Sequence, residues 1–224
     1  MQTLRKHLEE ALVRASHTLH ARGWVANHDG NVTARLDAER FLATPTAVSK
    51  AAVERSGLVV VDWNGKRVSG RNKPFSEIAL HLCVYRQRPD ATVVVHAHPP
   101  TATGLAVAGV PIRSTMLAEA VVSLGPEIPL VPYARPKTPE STLNLQPHLR
   151  TADAWVLERH GVLTCGADLE TALLRLELVE HLAKIQLVAL QAGGVRTLPA
   201  EDVAVLAEQG PARGRHTRPT AASD

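Results

Sequence analysis

Two histidines one residue apart close an apolar run that reads Val93-Val94-Val95-His96-Ala97-His98-Pro99-Pro100. Three successive valines suit a buried, pleated strand. Side chains alternate faces along a strand, so His96 and His98 project together from its end, and the two prolines turn the chain away. Neutral imidazole is a good ligand for zinc and its first-row neighbours, which makes this pair half of a metal site. The plainer reading is two partly exposed histidines at a strand–loop boundary, and the spacing alone does not separate the two. A catalytic metal takes three protein ligands and keeps one position open. His160 is the best third candidate, because Gly161 lets the backbone bend there and a strand end would place it at the sheet edge. His81, one helical turn past Glu77, is the main competitor. Glu77 itself could be the general acid/base or an exchangeable fourth ligand, since a carboxylate beside a divalent cation can move a proton next to a carbonyl. Its plain alternative is an acid favoured by the first turn of a helix.

The elements that would position these groups follow from pattern. Leu8, Ala11, Leu12, Ala15 and Leu19 recur at helical spacing, with Gly23 as a stop. Asn27-His28-Asp29-Gly30 marks a turn, after which Val32, Ala34 and Leu36 alternate as in a strand. Phe41 to Thr44 and Leu58 to Asp62 read as short strands, and Asn64-Gly65 as a hairpin turn. Ser76 is the expected N-cap of a helix running to Arg88. Thr101–Ala108 and Ser114–Leu124 suit helices, Leu130–Tyr133 is extended, and Pro139-Glu140 opens a weak helix. The segment from Ala154 to Gly166 reads as two strands broken at His160-Gly161, and a long helix from Leu169 to Gln191 follows. Strands alternate with helices but include tight hairpins. The predicted fold class is α/β, a three-layer αβα arrangement around a mixed, mostly antiparallel sheet. Residues 1–195 form the expected domain and 196–224 an extension, whose polar composition after 210 predicts disorder.

Composition excludes several functions. The 224 residues are 45% hydrophobic and 21% charged, which suits a globular fold. Aromatics are only 3%, too few for a stacking platform on single-stranded nucleic acid. Of the net charge of +3, Arg213, Arg215 and Arg218 against Asp224 put two units in the tail, leaving no basic stripe for a phosphate backbone. Cys83 and Cys165 sit in apolar segments without metal spacing and read as free thiols of a reducing cytoplasm. No signal segment or membrane span is visible. No glycine-rich nucleotide loop follows a strand, which leaves a metal as the expected helper.

Five short motifs stand in order: Gly30-Asn31-Val32-Thr33, Thr44-Pro45-Thr46, Ser76-Glu77 with His81 downstream, Val95-His96-Ala97-His98, and Arg159-His160-Gly161. In this order and spacing the chain resembles the class II aldolase/adducin family, in its fuculose-phosphate aldolase-like branch, from about Leu4 to Gln191. The resemblance implies a divalent metal, zinc first with manganese or cobalt as alternatives, held by His96, His98 and His160. It implies Glu77 as the acid/base, in contact with the metal, and Asn31, Thr46 and Ser76 as holders of a substrate phosphate. The implied reaction is reversible cleavage of a small ketose phosphate or hydroxy ketone into dihydroxyacetone phosphate, or a similar fragment, and an aldehyde. A metal-stabilised enediolate would lie between, in a cytoplasmic homotetramer with active sites between subunits.

Departures from the family pattern bear on the substrate. The phosphate loops of the sugar-phosphate aldolases tend to read Thr-Gly and Ser-Ser-Glu, where this chain has Thr46-Ala47 and Phe75-Ser76-Glu77. The lost glycine and hydroxyl weaken or relocate phosphate recognition. The tyrosine proton donors of fuculose aldolase are also missing: the middle segment reads Ser114-Thr115-Met116-Leu117, and no tyrosine follows Tyr133. Glu119 is the nearest acid able to replace them, and Tyr133 is a second candidate. These changes leave room for decarboxylation, epimerisation or dehydration on the same metal. The family's adducin branch, a non-catalytic interaction module, lacks the metal histidines that this chain keeps.

Overall fold

Residues 2–210 are described by a computed structural model of the chain. The polar tail in which disorder was expected lies outside these residues. The opening helix α1 spans Gln2–Ala21 and buries Leu12, Ala15 and Leu19. Each fully buried leucine is worth roughly 1.5–3 kcal/mol over leaving it in water. Eight strands follow: β1 (Asn31–Arg35), β2 (Phe41–Ala43), β3 (Val59–Val61), β4 (Arg67–Ser69), β5 (Val93–Ala97), β6 (Leu130–Val131), β7 (Ala154–Leu157) and β8 (Gly161–Gly166). They form one sheet in the order β4-β3-β2-β1-β5-β8-β7-β6. All neighbours pair antiparallel except β6 with β7. The sheet is therefore mixed and mostly antiparallel, as expected.

Alternation along the strands divides the core in two. Val93, Val95 and Ala97 of β5 face one apolar cluster, shared with α1, α3 (Pro100–Val107) and α6 (Leu169–Gln191). Val94 faces the other, shared with α2 (Ile78–Gln87) and α5 (Pro139–Leu145). His96 has the parity of Val94 and so turns to the α2 side, where Asn31 and Thr33 of β1 also point. Three layers result, with helices on both faces of the sheet.

Three local expectations are corrected. The helix foreseen over Ser114–Leu124 breaks at the extended residue Leu117, giving a 3-10 turn at Ser114–Met116 and then α4 (Ala118–Leu124). Ser76 is not the N-cap of α2: that position is Glu77, whose side chain makes no capping bond because it is turned elsewhere. An unforeseen short helix, α7 (Ala200–Ala207), packs against α4, and Leu198 N–H donates to Thr115 O at 2.8 Å.

The link between β7 and β8 is the tightest spot in the sheet. A Cβ at Gly161 would stand 2.5 Å from both Ala97 O and His98 Cδ2. Glycine is required there by close approach, while the left-handed backbone falls on Arg159 (φ 55°). Gly161→Ala should therefore cost about 1–3 kcal/mol by overpacking. The expected result is a lowered denaturation midpoint, with Ala97 O and the His98 ring as the atoms displaced. An unchanged midpoint would mean the strand ends are looser than described.

Candidate metal centre

His96, the last residue but one of β5, is almost fully buried, and its Nδ1 donates to Val162 O at 2.9 Å on the neighbouring strand. That bond fixes the tautomer and leaves Nε2 as the free ligand atom. His98 follows the strand, its backbone N–H donating to Trp24 O at 2.8 Å and its Nδ1 facing the Asp29 carboxylate at 3.6 Å. Glu180 of α6, itself buried, accepts from Ala102 N–H at 2.9 Å and Thr101 N–H at 3.3 Å, holding the start of α3 and hence the chain leaving His98. His160 arrives from the β7–β8 turn.

The three imidazoles converge. His96 Nε2 and His98 Nε2 lie 3.0 Å apart, and one nitrogen from each ring falls within 4.8 Å of the others. Nitrogens bound tetrahedrally to one zinc at about 2.0–2.1 Å stand roughly 3.3 Å apart, so the set fits such an ion with small adjustments. Glu77 joins them: Oε1 is 2.9 Å from His160 Nε2 and Oε2 is 3.7 Å from His96 Nε2. The helix N-cap has given up its capping role to reach the cluster.

Burial and neighbouring charge set the protonation states. Burial pushes the Glu77 carboxyl up, but the His160 hydrogen bond and the surrounding imidazoles outweigh it and hold the group down at about 2. Burial, reinforced by the His160 imidazole, depresses His96 well below the usual range and lowers His98. Neutral imidazoles beside an ionised carboxylate are what a divalent cation requires.

His81, the competing ligand, does not join the cluster. It is fully buried on α2, its Nδ1 2.8 Å from Thr33 Oγ1, which lies 2.9 Å from Tyr85 Oη. Burial lowers it to about 3, against the pull of Glu77, and keeps it neutral. Its Nε2 has no partner among the described residues, nor does the buried Asn31 Oδ1.

Asn31 opposes His96 directly in the β1–β5 register. The loops carrying Thr46 and Ser76 are tied to one another and to β1. Thr46 N–H donates to Lys73 O at 3.0 Å, Pro45 bridges Pro74, and Val32 N–H donates to Thr44 Oγ1 at 3.2 Å. Ala47 keeps the left-handed backbone a glycine would adopt (φ 55°), so the loop holds its shape despite the substitution, at about 1–2 kcal/mol of strain. Glu119 stands exposed in the first turn of α4 and contacts neither Glu77 nor the imidazoles of its own chain. Tyr133 is half exposed under the Arg159 guanidinium, 5.8 Å from its centroid. Asp29 escaped the sequence reading, which saw only a turn residue before Gly30.

His81, His96 and His98 stay neutral in the fold at pH values where the unfolded chain protonates them. The unfolded state then binds more protons, so the stability of metal-free protein falls as pH drops below about 6.5. Glu77 extends the loss from about 4.5 toward 2. Denaturant midpoints at pH 7.5 and 5.5 check the sign, and equal or greater stability at 5.5 would rule out buried neutral imidazoles.

Known proteins place the chain in a family. Residues 10–187 match the model of the Class II Aldolase and Adducin N-terminal domain. The chain is 35% identical to an L-fuculose phosphate aldolase of Escherichia coli O6:H1 over 181 residues, covering 80% of this chain and 83% of that one. It is 30% identical to a 3-oxo-tetronate 4-phosphate decarboxylase of Haemophilus influenzae over 209 residues, 90% of this chain and 97% of the relative. A solved L-fuculose 1-phosphate aldolase superposes with a TM-score of 0.83 at 28% identity, over 90% of this chain and 94% of the other. The three imidazoles and their carboxylate thus sit in a chain that belongs to the class II aldolase and adducin family.

Proposed function

We propose that this protein is a metal-dependent lyase that breaks or forms a carbon–carbon bond next to a carbonyl in a small ketose phosphate or hydroxy ketone. The observation that best supports this is the meeting of three imidazoles with one ionised carboxylate at the end of β5. A divalent ion held by His96, His98 and His160, zinc before manganese or cobalt, would supply Lewis-acid stabilisation of enolate charge. Glu77, ionised and at the edge of the cluster, takes a proton from the carbon next to the carbonyl in synthesis and returns it in cleavage. Asn31, Thr46 and Ser76 line the loops that would hold a phosphate. The products in cleavage are dihydroxyacetone phosphate, or a similar fragment, and an aldehyde. Glu119 enters this reading only from a neighbouring subunit of a cytoplasmic homotetramer, as the group that protonates the aldehyde oxygen when the bond forms and takes that proton from the hydroxyl in cleavage. Decarboxylation of a 3-oxo acid is the second reading, favoured by the longer span matched to the decarboxylase relative. It passes through the same enolate.

Chelation is expected to abolish turnover, and added zinc, manganese or cobalt to restore it. Glu77→Gln should lower kcat about 10²- to 10⁴-fold while metal content stays unchanged. Full turnover in that variant would remove Glu77 from the reaction. Measuring aldehyde against carbon dioxide release on a panel of ketose phosphates and oxo acids separates the two readings.

A further inference from the structure

A cleft adjoins the imidazole cluster, and neither Asn31 nor Thr46 is among the residues that line it. Ser76, Glu77 and His160 line it together with Lys137, Thr138 and Ser141. Because Glu77 and His160 belong to both, a molecule held at the imidazole cluster extends into this space. Beside those two residues, the charged groups lining the cleft are Glu158 and Lys137. Glu158 is already engaged: its Oε2 accepts from Tyr133 N–H at 2.9 Å, and its Oε1 faces Arg159 at 3.7 Å. Lys137 has no carboxylate within 4.0 Å among the described residues. Its backbone is also held in the left-handed region (φ 68°), which a lysine rarely adopts and which marks a position retained against a local cost.

We propose that Lys137 is a specificity-determining residue whose ammonium holds an anionic group, carboxylate or phosphate, on the part of the substrate beyond the bond being broken. This rests on the lyase reading above and narrows it: the leaving fragment ends in a negative charge. A neutral fragment would leave the ammonium without a partner beside two hydroxyl-bearing residues, whereas an anion gains a charge-assisted hydrogen bond.

Lys137→Gly removes the ammonium while giving the backbone the residue most at ease in that conformation, so misfolding does not obscure the result. Lys137→Glu reverses the charge, and Lys137→Arg keeps it. Calorimetric titration with threonate, threitol phosphate and threitol compares one four-carbon chain with three different ends. Lys137→Gly should weaken one or both anions about 10- to 100-fold, Lys137→Glu should weaken them further, Lys137→Arg should retain binding, and threitol should bind as before. Loss confined to threonate assigns a carboxylate, and loss confined to threitol phosphate assigns a phosphate. Equal losses for all three compounds, or none, would overturn the proposal. The titrations are run on metal-free and zinc-loaded protein. A charge-dependent difference in either supports the role of Lys137, while zinc that adds nothing to affinity counts against the metal reading alone.

Discussion

The antiparallel pairing of β5 with β8 is the constraint on which the site depends. Its register sets His96 opposite Leu163 and Ala97 opposite Val162, so the residues just beyond Ala97 and just before Gly161 must meet. Two of the imidazoles leave one strand and the third enters the other at that meeting point. The missing side chain at Gly161 lets the strand ends approach closely enough for three ring nitrogens to share one small volume. A slip of one residue would turn His96 toward the opposite core and bring an apolar valine or alanine in its place. On the other flank, β1 sets Asn31 against His96. The centre is thus written into ladder hydrogen bonds, and loops only complete it.

Electrostatics then follows from where the ladder puts these groups. Imidazoles removed from water lose their protons, and a carboxylate placed among them keeps its charge despite burial, because hydrogen bonding and nearby ring nitrogens favour the ionised form. Behind them the Tyr85, Thr33 and His81 chain of hydrogen bonds occupies the space between β1 and α2. It gives the wall of the site a polar but uncharged backing.

Much of this was legible in the sequence, and the limits have physical causes. The valine run with two histidines, the Asn31–Arg35 strand and the long helices carry their period openly, so element types and the shared face of His96 and His98 could be read. The convergence of His160 on them could not be derived from spacing: Gly161 made His160 the best third candidate and the family resemblance strengthened it, but their meeting depends on the β5–β8 register, set by contacts between segments roughly 70 residues apart. Ser76 looked like the N-cap because serine usually is one, but a tertiary partner drew the helix start to Glu77. The run from Ser114 to Leu124 has helical composition, yet Leu117 goes extended and splits it. α7 is eight residues long, too short to announce itself by period. Asp29 was read as turn chemistry, and its approach to His98 arises only when two distant turns are brought side by side.

Backbone strain supplies a view of the site that does not depend on its histidines. Among the described residues, four that are not glycine take positive φ: Asn27, Ala47, Lys137 and Arg159. Asn27 stands two residues before Asp29, Ala47 follows Thr46, Lys137 lines the cleft beside Glu77, and Arg159 precedes His160. Asparagine tolerates this conformation through its short polar side chain, but alanine, lysine and arginine each give up on the order of 1–2 kcal/mol to it. Strain of that kind persists only where surrounding structure over-determines it. Its occurrence near Asp29, in the cleft wall and next to His160 means that stability has been exchanged for the placement of particular groups there. At Ala47 and Arg159 the neighbours are Thr46 and His160. At Lys137 the residue in the strained position is itself the only lysine lining the cleft among the described residues, so the group being placed there is its charge.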